Sequence, residues 1–139
     1  MRVLLDTNVL LDALLAREPF VADAAFLLEA VEAGRLEGFV AATTVTDVHY
    51  LVGRQAKSAE VATTAVTRLL KLMEICPVDR RVLEQAIALG LVDFEDAVQV
   101  ASAISLGLEA IVTRDVPGFA GSPIPILSSG ELKDLLAGV

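Results

Sequence analysis

Four aspartates stand where an apolar run gives way to a helix or a turn: Asp6 after "RVLL", Asp47 after "LEGFVAATTVT", Asp96 in "VDFEDAVQVASA" and Asp115 just past "AIVT". Two carboxylates about 5 Å apart repel by roughly 3 kcal/mol at an effective dielectric near 20. Several such pairs would cost a large fraction of a domain's net stability. Helix N-termini and protonation of one or two groups relieve part of that repulsion. The relief best suited to converging oxygen donors is a hard divalent cation, Mg2+ or Mn2+. Such an ion uses a few carboxylates and keeps several waters, which suits hydrolysis of a phosphodiester by an activated water. Taken singly, Asp96, Asp47 and Asp115 also have ordinary uses, the first two three residues behind Asp93 and Thr44 as cap partners and the third in a turn. Asp6 is the hardest to assign to such a use, since it ends an apolar strand with Thr7 and Asn8 placed to orient its oxygens.

The chain that must position these acids alternates short apolar runs with stretches of helical period, the pattern of a parallel sheet with crossover helices. "RVLLD" reads as a strand, "TNVLLDALLAR" as a helix to Arg17, and Pro19 as the start of a second helix closed by Gly34. A second strand, "LEGFVAA", precedes a helix with a capping-box-like start at Thr44 and Asp47. A further helix runs from Ser58 to about Glu74, "ICPV" is a short strand, and Asp79 and Asp93 cap two more helices ended by Gly90 and Gly107. The strand "AIVT", a turn-rich loop, the strand "IPIL" and a helix capped by Ser129 complete the order. The expected fold class is α/β, a three-layer α/β/α sandwich with a central parallel sheet, in one domain over residues 1–139. In such a sheet the ligand crevice opens at the carboxyl ends of the strands, where all four aspartates fall.

Bulk properties narrow the function. The chain has 139 residues and a net charge of -8, which argues against broad adhesion to phosphate backbones. No apolar run approaches the roughly 20 residues of a membrane span, and "MRVLLDTN" lacks the features of a signal peptide, so a cytoplasmic protein without membrane association is expected. Cys76, the sole cysteine, has no Cys or His neighbours for a zinc site and reads as buried filler. Dinucleotide, Walker A, serine-hydrolase and zinc-peptidase motifs are absent from the sequence. His49 lies two residues from Asp47 and so about 200° around a helix, which places it off any shared metal. Tyr50 and Arg54 share the face of Asp47, and Arg54 and Arg114 are candidate phosphate contacts. Asp12, Asp93 and Glu95 read as solvated or capping residues.

"LLDTNVLLDALLAREPF", "DFEDAVQVASA", "AIVTRDVPGF" and "IPILSSGEL" together resemble the PIN domain, the metal-dependent ribonuclease fold of VapC-type toxins, and the likeness runs almost end to end. The resemblance implies Asp6, Asp96 and Asp115 as metal-site acids, Asn8 and Thr113 as supporting polar groups, and one or two Mg2+ or Mn2+ ions. It further implies an RNA substrate, a homodimer, and a small antitoxin that blocks the site with a basic residue. Two departures stand out. Relatives commonly carry a Glu in the helix after the second strand, where Asp47 is the nearest acid, and many read Asn-x-x-Asp-Phe where this chain has Asp115, Val116, Pro117, Gly118 and Phe119. The alternative is a degenerate scaffold of the same fold that binds RNA or a protein without cutting.

Overall fold

The computed structural model describes residues 1–138, so Val139, last of the expected 1–139 unit, lies outside the described residues. Five strands, β1 (Arg2–Leu5), β2 (Glu37–Ala41), β3 (Glu74–Cys76), β4 (Ala110–Val112) and β5 (Ile126–Leu127), form one parallel sheet in the order β3-β2-β1-β4-β5. Leu4 of β1 pairs with Phe39 on one side and Ile111 on the other. Val3, Leu4 and Leu5 are all fully buried, as befits a central strand covered on both faces.

Helices supply both covers. Val3, Leu5, Val40 and Val112 pack with α1 (Thr7–Leu14), α2 (Val21–Glu32), α3 (Ala42–Ala56), α4 (Ala59–Leu72) and Leu132 of α7 (Ser129–Leu136). Leu4, Phe39, Cys76 and Ile111 face the other way, onto Val100 and Ala103 of α6 (Phe94–Ser105) and Phe119 of a 3-10 turn (Val116–Phe119). Val82 and Ala86 of α5 (Arg80–Leu89) pack on Ala97 and Ala101 of α6. The result is the three-layer α/β/α sandwich read from the sequence. Burial pushes the Cys76 thiol up to about 11, which leaves it an inert core group.

Several boundaries differ from the sequence reading. α1 stops at Leu14 rather than Arg17, because Ala16 takes a left-handed conformation (φ 49°) and the Arg17 N–H turns back to the Asp12 carbonyl at 3.0 Å. α2 begins at Val21 instead of Pro19, the residues before it being closed into a turn by Phe20 N–H donating to the Arg17 carbonyl at 2.9 Å. α3 has no side-chain cap: β2 ends at Ala41 and the helix begins at Ala42, so Asp47 is in its second turn and not beneath a Thr44 cap. The last helix is capped by Ser128, not Ser129, in a reciprocal box with Glu131, whose carboxyl those Ser128 bonds hold below its ordinary range.

Candidate active site

The sheet order reverses between β1 and β4, the place where a parallel α/β sheet opens a crevice. Asp6 is the N-cap of α1 there, and its carboxylate is tightly held. Its Oδ1 accepts from Thr7 N–H and from Gln99 Nε2, each at 2.7 Å, and its Oδ2 accepts from the Thr113 hydroxyl at 2.7 Å. Thr113 is fully committed. While donating to Asp6, its hydroxyl accepts from Asn8 Nδ2 at 3.4 Å and from Asp115 N–H at 2.9 Å. The Asn8 side-chain oxygen in turn accepts from Arg114 N–H at 3.3 Å. Asn8 and Thr113 thus tie the end of β4 to the start of α1.

Asp96 lies in the first turn of α6, its N–H received by the Asp93 side chain at 3.0 Å. Burial first, then the charges of Asp93, Asp6, Asp115 and Glu95, raise its carboxyl to about 7. Asp115 caps the 3-10 turn by accepting from Gly118 N–H at 3.2 Å. A Cβ at Gly118 would meet both an Asp115 carboxylate oxygen and, at 3.1 Å, Asp96 Oδ2, so the bare glycine is what lets those two acids approach. Asp6, Asp96 and Asp115 therefore share one neighbourhood, brought from β1, α6 and the end of β4.

A groove of about 710 Å3 opens beside them, lined among others by Asp6, Thr44, Asp47, Glu95, Asp96 and Gln99. Asp47 stands on its α3 wall, its carboxyl raised by burial alone. Arg54 and Arg114 are not among the lining residues. Arg54 sits exposed in the last turn of α3. Arg114 Nε donates to Asp12 Oδ2 at 2.7 Å, and its guanidinium lies 4.1 Å from the Phe20 ring centroid. Asp12 is 1% exposed, so the solvated face expected of it is corrected: Arg114 covers it. His49 hydrogen-bonds Thr63 of α4 at 3.2 Å, on the surface.

Gln99 was not singled out by its sequence context. Its Nε2 faces a carboxylate, which only accepts, so the amide orientation is set by Asp6. Its Oε1 is then left buried with no partner in the wall of the groove. Gln99 stands three residues after Asp96, one turn along the same helix face, and that spacing was the available signal.

These donors can be tested against a divalent cation. Among the described residues no three acidic, His or Cys side chains converge closely enough to cage one. The set is nevertheless all oxygen, as a hydrated hard ion requires. Asp96 carries unrelieved like-charge repulsion, and the orphaned Gln99 acceptor suits a water donor held in the groove. The residues fit an ion that keeps most of its waters.

Fold and groove together define an α/β/α protein with an acid-lined crevice at its topological switch point. The chain belongs to the PIN-domain family, whose model matches residues 2–117. It is similar in fold to VapBC2 from Rickettsia felis, solved bound to a promoter DNA fragment, at 15% identity and a TM-score of 0.68 over 92% of this chain and 98% of that one. A toxin-antitoxin complex from Klebsiella pneumoniae matches at 23% identity and a TM-score of 0.68, over 91% and 97% of the two chains. VapC20 from Mycobacterium tuberculosis, described as a toxin cleaving the sarcin-ricin loop, matches at 17% identity and 0.64, over 78% and 86%. No curated protein sequence matches the chain significantly. No helix among the described residues is long and apolar enough to cross a membrane.

Proposed function

We propose that this protein is a metal-dependent ribonuclease of the VapC-like kind, acting on RNA in the cytoplasm with Mg2+ or Mn2+ held by Asp6, Asp96 and Asp115. The observation that carries the reading is the meeting of those three acids, remote in the chain, around Gly118 and the Asp6 network. When bound, the cation would stabilise charge on the scissile phosphodiester and acidify a water toward neutrality. The protein's own part is orientation. Thr7, Gln99 and Thr113 hold Asp6 with neutral donors, leaving its charge available. Asp47, one methylene shorter than Glu, would act from the α3 wall through water. The net charge of -8 and the acidic groove suit a small antitoxin with a basic residue, as a partner to a homodimer.

The test is cleavage of labelled RNA in Mg2+ or Mn2+ by the full chain and by Asp6→Asn. Cleavage that falls at least about a hundredfold in the variant supports the proposal, since even outer partners of a metal ligand are worth 10–100-fold. The lack of a preformed cage of three ligands among the described residues favours a second reading, a binding scaffold without cleavage. Binding of RNA with no cleavage by the unaltered chain would decide for it.

A further inference from the structure

Beyond its acids, the groove is lined by two aromatic side chains. Tyr50 is 64% exposed and Phe94 51% exposed, and both line the groove that holds Asp6 and Asp96. The chain has only one Tyr, five Phe and no Trp. The other four rings are occupied: Phe39 and Phe119 are buried in the core, Phe20 lies under Arg114, and Phe26 under Arg35 and Lys133. Phe20 keeps 39% of its surface exposed beside Arg114; Tyr50 and Phe94 are the more open rings, and both line the groove.

Their placement follows from the same helices that carry the acids. Tyr50 is three residues past Asp47 on α3, about 4.5 Å along the axis and on the same face. Phe94 opens the first turn of α6, two residues before Asp96. Leu83, Thr43 and Thr46 line the same groove. No Lys or Arg is among the lining residues described, so nothing there neutralises a phosphate backbone. Open rings, apolar side chains and hydroxyls match a flat heterocycle with a polar edge, not a polyanion.

We propose that Tyr50 and Phe94 form a subsite for an unpaired base next to the scissile phosphate, so that the substrate is gripped by a base and by the metal rather than by backbone cations. This rests on the ribonuclease reading of the acids. Its test measures cleavage of a short unpaired oligoribonucleotide in Mn2+ by the full chain, Tyr50→Ala, Phe94→Ala, Tyr50→Phe and Asp6→Asn. Melting curves and size exclusion accompany each variant. Each alanine change should raise KM about tenfold, within the range for a lost base-aromatic stack, with kcat little altered and Tyr50→Phe near wild type. An abasic ribose-phosphate competitor should inhibit far less than the ordinary oligomer. Unchanged KM in both alanine variants, alongside cleavage lost in Asp6→Asn, would overturn the subsite while leaving the nuclease intact. So would alanine variants that alter only the oligomeric state, or an abasic competitor as strong as RNA. A wild-type chain that cuts no RNA would remove both proposals together.

Discussion

Asp6 and Asp12 stand near the two ends of α1, both buried, yet they are held in opposite ways. Asp12 is neutralised from within, by the Arg114 guanidinium capped by Phe20. Asp6 receives only neutral donors: one backbone N–H, one amide and one hydroxyl. A buried carboxylate with a resident cation is spent on structure. One held by dipoles keeps its charge for a visitor, and only the second can organise a site. The same seven-residue stretch thus supplies an anchor for the Arg114 segment and a candidate metal ligand.

The largest effect expected from breaking this contrast is on Asp12. Arg114→Ala leaves a buried carboxylate uncompensated and should destabilise the fold by about 3 kcal/mol or more. Adding Asp12→Asn should recover part of that loss, as chemical denaturation would measure; equal stability of Arg114→Ala and wild type would refute an internal ion pair. At the other end, Gln99→Leu removes a donor to Asp6 and the orphaned acceptor together. Mn2+ affinity by calorimetric titration should fall about tenfold, with the melting temperature little changed. An unaltered affinity would remove Gln99 from the site.

The smallest effect, because Asp96 is only partly buried and solvent screens its acidic neighbours, is a pH slope. Asp96 binds its proton more tightly folded, at about 7, than in the unfolded chain, where an ordinary aspartate titrates near 3.8. Its ionisation therefore costs nothing below pH 4, destabilises increasingly as pH rises toward 7, and levels off above. With divalent ions chelated, wild type should lose melting temperature across that window relative to Asp96→Asn, and millimolar Mg2+ or Mn2+ should flatten the difference. Parallel curves for the two proteins would mean that Asp96 feels no such crowding.

The strands, their carboxyl-end acids and the crossover helices were readable because each rests on local period and punctuation. Asp6 stood out for the same reason, as a charge ending an apolar run. What escaped was set by contacts between distant segments. Asp12 and Arg114 are 102 residues apart in the chain, and nothing near either announces the pair. Gln99 sits in "AVQVASA", where a polar residue on a buried helix face looks like an interruption until Asp6 is found opposite it. Ala16 ends α1 in a conformation that a glycine would have advertised and an alanine conceals. α3 was shifted because it starts straight from the strand without a capping side chain.

That direct passage from β2 into α3 has a consequence for recognition. The wall bearing Asp47 and Tyr50 is joined at its root to the sheet, with no loop residue between strand and helix. A guest on that side meets a wall whose course is continuous with the sheet.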